Sequence, residues 1–99
     1  MDITLQYFDG CPNWKIAAER LAVIAVEHPG TVVTRRLVEN LEDAEAMLFR
    51  GSPSILVGGT DLFPDPAAPV GMACRIYMTP TGLAGAPTLG QLRDAITTA

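Results

Sequence analysis

Residues 3–8, Ile-Thr-Leu-Gln-Tyr-Phe, are dominated by β-favouring side chains and stop at Asp9-Gly10, which predicts a strand. The apolar period then lengthens. Trp14, Ala17, Ala18, Leu21, Ile24 and Ala25 recur at helical spacing and predict a helix over 12–27 with one apolar stripe. Pro12 suits the first helical position, where its missing N–H removes no hydrogen bond. Pro29-Gly30 ends the run, and His28 falls near the negative end of the helix dipole. A second strand is expected over 31–38. Asn40, with Asp43 at the third helical position, offers the cap of a short helix over 41–49 whose inward residues would be Leu41, Ala44, Met47 and Leu48, with Gly51 as its stop.

Ser54–Val57 reads as a third strand and Gly58-Gly59 as a turn. Residues 60–72 form a Pro/Ala-rich loop, long for so small a chain. Residues 73–78, Ala-Cys-Arg-Ile-Tyr-Met, read as the fourth strand. A Gly-rich connection over 81–86 then leads to a last helix, where Thr88 and Gln91 have capping-box spacing and Leu89, Leu92, Ala95 and Ile96 form the inner stripe. The order β-α-β-α-β-β-α predicts an α/β fold. Its first two strands are parallel through a right-handed crossover, and its last two are antiparallel. The expected result is a single domain over 1–99, a four-stranded mixed sheet with helices on its faces.

Composition narrows the function classes. The 99 residues are 48% hydrophobic and 18% charged, as in a globular domain rather than a disordered one. The net charge is −4, and Arg35-Arg36 is an isolated basic pair, which argues against nucleic-acid or anionic-membrane binding. No apolar run reaches the length of a membrane span, and Met1-Asp2-Ile3-Thr4 carries no positive leader region, so the default location is cytoplasmic. Two cysteines, Cys11 and Cys74, are too few for a disulfide scaffold and, with the single His28, too few for a structural zinc site. No metal ligand set is therefore assigned, and in a reducing compartment both sulfurs are expected as thiols. No phosphate loop, catalytic triad or carboxylate pair is present.

The chemistry that remains is the thiol at the strand-to-helix turn, Gly10-Cys11-Pro12. Unpaired N–H groups and the partial positive charge of a helix N-terminus favour a thiolate over a thiol. Pro12 keeps the helix start rigid, whereas Asp9 opposes the effect if it points inward. The bland alternative is that Cys11 is a small buried hydrophobe. Trp14 either covers Cys11 or packs on the sheet. Cys74 reads first as a core thiol, and Tyr77 as core or edge packing. Asp61 and Asp65 read as solvated loop residues. Met47, Met72 and Met78 read as filler, and the acidic stretch Glu39, Glu42, Asp43 and Glu45 as a solvated face.

The strand at 3–8, the motif Cys11-Pro12-Asn13-Trp14, the segment Gly51-Ser52-Pro53-Ser54 and the terminal β-β-α with Gly82 and Gly85 together resemble the thioredoxin/glutaredoxin superfamily over nearly the whole chain. The resemblance implies that Cys11 is the nucleophile and that Pro53 is a cis-proline packed beside it. It further implies that the backbone of Ser52 faces an incoming extended peptide or glutathione. Pro12, Trp14, Ser52, Pro53, Gly82 and Gly85 become candidate substrate-positioning residues, the two glycines as a floor for close approach. Trp14 stands where the common motif has a second cysteine, so Cys11 cannot close a local disulfide, as in monothiol glutaredoxin-like motifs. More narrowly, "FDGCPNW", "GSPSILVGGTDLF" and "CRIYMTPTGLAGAP" resemble small bacterial thioredoxin-like proteins associated with alkylmercury lyases, which implies soft-metal or organomercurial chemistry.

The expected activity is single-cysteine thiol–disulfide exchange through Cys11, with glutathione as a possible co-substrate and a protein or small-molecule thiol or disulfide as partner. Resolution would come from external glutathione, or from Cys74 if it lies within about 7 Å Cα to Cα. Cys74 is expected near the far end of its strand from Cys11. The rival readings are a non-catalytic binding module for a protein or soft metal, with Cys11 and Cys74 as ligands, or a structural Cys11–Cys74 pair.

Overall fold

Ile3 and Leu5 are both buried on one side of β1 (Asp2–Tyr7), an inner strand of a four-stranded mixed sheet in the computed structural model, which describes residues 1–98. The remaining elements follow as α1 (Trp14–Glu27), β2 (Val32–Leu37), α2 (Leu41–Met47), β3 (Ser54–Val57), β4 (Thr60–Asp61), β5 (Tyr77–Thr79), β6 (Gly82–Ala84) and α3 (Leu89–Thr98). The sheet order is β2-β1-β3-β4. β1 and β2 are parallel, with Ile3 opposite Val33 and Tyr7 opposite Leu37. β3 runs antiparallel to β1, with Leu5 opposite Ile55. β2 is an edge strand, mostly exposed, and its Arg35 and Arg36 discourage pairing with another chain.

The helical stripe read from the sequence faces this sheet. Ala17, Leu21 and Ile24 of α1 are fully buried against Ile3, Leu5 and Ile55, and Leu92 and Ile96 of α3 complete the same cluster. A second, smaller cluster joins Val38, Ala44 and Phe49 to Phe8, whose parity along the chain is opposite to that of Ile3 and Leu5. Phe8 and Phe49 meet edge to face, with ring centroids 6.4 Å apart.

Both predicted helix caps form. The Asn40 side chain accepts from the Asp43 N–H at 2.8 Å. Thr88 and Gln91 exchange reciprocal bonds, Gln91 N–H to Thr88 Oγ1 at 3.1 Å and Thr88 N–H to Gln91 Oε1 at 2.9 Å. Three expectations are corrected. Regular helix in α1 begins at Trp14 rather than Pro12, whose carbonyl accepts from the Lys15 N–H instead. α2 stops at Met47 because Leu48 adopts the left-handed conformation, φ 53°, which turns its side chain outward and gives the core position to Phe49. Leu41, at the other end of α2, is exposed as well.

The third correction concerns the fourth strand, which is Thr60–Asp61 and not 73–78. Gly58 and Gly59 both take positive φ, 57° and 84°. Two such residues make the tight reversal whose twist matches a hairpin, so the chain pairs back on β3 at once, Val57 opposite Thr60. The later strand residues, β5 and β6, form a separate antiparallel hairpin. Among the described residues no helix is long and apolar enough to cross a membrane.

α1 and α3 are also tied at the surface, where Arg93 Nη2 lies 2.6 Å from Glu27 Oε2. The hydrogen bond from Arg93 holds the Glu27 carboxyl below its ordinary value, and the same bond raises Arg93. A carboxyl with a depressed folded pKa stabilises the fold above its unfolded value and loses that contribution as the pH falls through the folded one. Exposure keeps the effect small. We expect Arg93→Met to have a slightly lower Tm than the native chain at neutral pH. The gap should close as acid titration passes below about pH 4. A gap that widens in acid would contradict the assignment.

Candidate functional site

Cys11 lies in the turn between β1 and α1, its N–H donating to the Phe8 carbonyl at 3.4 Å. It is 0% exposed and forms a disulfide with Cys74, 63 residues away in sequence, with a Cα–Cα distance of 5.7 Å. Cys74 is exposed. The expectation that Cys74 lies at the far end of a strand from Cys11 is thus overturned, and so is the expectation of two free thiols. The reason is the early closure of the β3–β4 hairpin. The fourth place in the sheet is filled by Thr60–Asp61, so residues 73–75 are free to return across the other end of β3. There Ser52 and Cys74 form a single parallel bridge.

That crossing is held by the backbone. Ser52 N–H donates to Ala73 O at 2.8 Å, and Arg75 N–H donates to Ser52 O at 2.9 Å. Gly51, at φ 115°, makes room for it, since a Cβ there would stand 2.9 Å from Arg75 Cβ and 3.0 Å from Ala73 O. Ser52 is fully buried, and its Oγ accepts from the Phe8 N–H at 3.3 Å. The Ser52 backbone therefore already pairs with this chain's own segment, rather than facing open space for a partner as the resemblance implied.

Ser52-Pro53 is a cis peptide, and Pro53 is buried. Its carbonyl accepts from the buried Tyr77 hydroxyl. Burial pushes the Tyr77 pKa well above its ordinary value, opposed by the neighbouring Arg75 charge, so this group remains a donor.

Two residues not singled out for a role from the sequence alone hold the site together. Arg75 is 5% exposed, and its Nη1 reaches Asp61 Oδ2 at 2.7 Å and Ser54 Oγ at 3.2 Å, while Nη2 donates to the Phe63 carbonyl. Asp61, expected to be merely solvated, is the counter-ion, and it also accepts from the Phe63 N–H at 2.9 Å. The signal available beforehand was a single cation inside the apolar run Ala73–Met78. Such a residue must find a partner or stay in water.

Asn13 was also missed. It occupies the N-cap of α1 without capping it, and its Nδ2 donates to Cys11 Sγ at 3.9 Å. Gly85 makes that placement possible, because a Cβ there would overlap the Asn13 amide. Of the remaining candidates, Pro12 is exposed on the outer turn. Trp14 stacks on Tyr7 at 4.3 Å between centroids, with the Arg35 guanidinium 5.4 Å from its ring, so it packs on the sheet side of α1. Gly82, φ 118°, serves the exposed β5–β6 turn and has open space around it. Among the described residues no group of three or more His, Cys, Asp or Glu side chains is placed to hold a metal ion.

Chemically, the arrangement is a disulfide between one buried and one exposed cysteine, next to a helix N-terminus and a cis-proline. Its anchor is the buried guanidinium, which gives a direct test. Arg75→Met leaves Asp61 without its counter-ion, and we expect a loss of about 3 kcal/mol in urea unfolding, of the size seen when one partner of a buried pair is removed. Replacing Asp61 as well, as Arg75→Met/Asp61→Leu, should recover part of that loss. Equal or greater destabilisation in the double variant would show that Arg75 acts through packing alone. Compared with protein-family models, with curated proteins and with solved structures, the chain matches none.

Proposed function

We propose that this chain is a thioredoxin-like thiol–disulfide exchange protein whose working couple is Cys11 and Cys74. The observation that carries the reading is the disulfide itself. It joins a cysteine at the start of α1 to an exposed cysteine held against Ser52, beside the cis Ser52-Pro53 bond. The mixed sheet with α1 and α3 in one cluster supports the same resemblance. An internal partner 5.7 Å away replaces external glutathione as the resolving thiol, so the two-cysteine route is favoured over the monothiol one. In the exchange, the dithiol form reduces a partner disulfide and becomes the Cys11–Cys74 disulfide, and a thiol such as glutathione returns it. In the cytoplasmic setting expected from the sequence, the glutathione pool would hold the couple mostly as the dithiol.

One observation favours a second reading, a structural brace. Cys11 is 0% exposed, and the bridge closes a 63-residue separation. A loop of that length is worth about 4 kcal/mol on the chain-entropy account.

The two readings separate by equilibration. In graded ratios of reduced to oxidised glutathione, followed by acid quench and alkylation, an exchange couple should titrate between about −120 and −270 mV, the range of oxidoreductase pairs. A brace should stay oxidised below about −300 mV. For an exchange couple we also expect turnover of a small disulfide with dithiothreitol as reductant, and its loss when both cysteines are replaced, Cys11→Ser/Cys74→Ser. A potential below about −300 mV with no turnover would overturn the exchange reading in favour of the brace.

A further inference from the structure

The two sulfurs of the bridge are not equivalent. Resting on the exchange reading above, we infer that Cys74, not Cys11, is the sulfur that exchanges with partners, and that Cys11 is the leaving and resolving thiol. A thiolate attacks a disulfide in line, from the side of the struck sulfur opposite its partner. Cys11 is 0% exposed, so every line to its Sγ passes through protein. Cys74 is exposed. Its neighbours Ala73 and Arg75 are both bonded to Ser52, which fixes the backbone on either side of this exposed residue.

The leaving side is equally specified. Cys11 stands just ahead of α1, and Asn13 Nδ2 is directed at its Sγ at 3.9 Å. Burial disfavours a charge on that sulfur, and the donor and the helix N-terminus oppose that cost; a sulfur whose charge is so received is the better leaving group. Gly85 belongs to the same device, because any larger residue would displace Asn13.

The step balances as follows. An incoming thiolate, from a low-molecular-weight thiol or a protein cysteine, donates its electron pair to Cys74 Sγ. The Sγ–Sγ bond breaks, and its pair stays on Cys11. A second thiolate then attacks the partner sulfur of the mixed disulfide and releases the Cys74 thiolate. The protein has gained two electrons and the partner thiols have become a disulfide. By microscopic reversibility the dithiol form attacks a partner disulfide through Cys74, and Cys11 resolves the adduct by striking Cys74 Sγ and expelling the partner thiolate. These roles reverse the assignment the resemblance implied for Cys11.

The test compares glutathionylation by oxidised glutathione in the two single variants and in the native chain. In Cys11→Ser the adduct should form on Cys74 and persist, because nothing resolves it. In Cys74→Ser adduct formation on Cys11 should be at least about tenfold slower. The oxidised native chain, treated with excess reduced glutathione and quenched in acid, should carry early adduct on Cys74 with Cys11 free, as mapped by peptide mass spectrometry. This arm requires no variant to fold. Adduct on Cys11, or equal rates at the two sulfurs, would overturn the inference while leaving the exchange reading intact. An intact disulfide with no adduct on either sulfur would overturn both.

Discussion

The guanidinium of Arg75 is a cation with almost no access to water, and its partners come from separate parts of the chain: Asp61 on β4, Ser54 on β3 and the carbonyl of Phe63 in the loop beyond. Satisfying it therefore fixes β3, β4 and the returning segment relative to one another. Its own N–H is bonded to Ser52, and Cys74 is the next residue toward the N-terminus. The position of Cys74 opposite Cys11 thus follows from a buried ion pair and two backbone hydrogen bonds before any covalent bond forms. The order of causes matters for chemistry. A bridge that alone held two distant segments would lose its geometry when opened. Here the crossing has non-covalent ties that do not depend on the bridge, the arrangement that the exchange reading needs.

The other half of the site is set by the fit between the start of α1 and the approach to α3. Asn13 sits in the N-cap position but directs its amide at sulfur rather than at the helix N–H groups. Gly85 leaves the room it needs, and the buried Ala86 and Pro87 follow directly, with the Pro87 carbonyl accepting from Arg20 Nη1 of α1 at 2.6 Å. The same close contact that packs the approach to α3 against the start of α1 thereby leaves room for the amide directed at Cys11 Sγ. Packing and chemistry are coupled at this point, and a change at position 85 would disturb both.

What was legible in the sequence was local. The Asn40 cap and the Thr88/Gln91 box are decided by groups three residues apart, and the stripe Ala17, Leu21, Ile24 by helical period. The Gly58-Gly59 reversal was also visible, but its consequence was misassigned. A two-residue loop pairs the residues on either side of it, so β4 had to begin at Thr60, whatever the β-propensity of 73–78. Cys11 and Pro53 could be singled out because a turn and a resemblance mark them. Asp61 and Asn13 could not, since their roles depend on which distant segments meet, and the lone cation Arg75 in an apolar run signalled the need for a partner without identifying it. Leu48 shows the limit at the scale of one residue. Helical spacing assigned it inward, but the helix ends two residues earlier than expected and the left-handed cap falls on Leu48 itself, which sends it out.

The crossing at Ser52 also constrains how any partner can dock. The resemblance implies peptide groups beside the cis-proline that are free to pair with an extended chain as a strand would. Here Ser52 N–H and C=O are both spent on Ala73 and Arg75, and the Ser52 hydroxyl is bonded to Phe8. A partner that used Ser52 would have to displace residues 73–75, and with them the buried Arg75–Asp61 pair, which is more than one added strand bond returns. On the exchange reading, the cheaper approach leaves the crossing in place and meets the protein at the exposed residue Cys74. The segment that carries Cys74 thus occupies the position where the resemblance would put a substrate, and recognition on the exchange reading is displaced from the cis-proline to the outer side of residues 73–75.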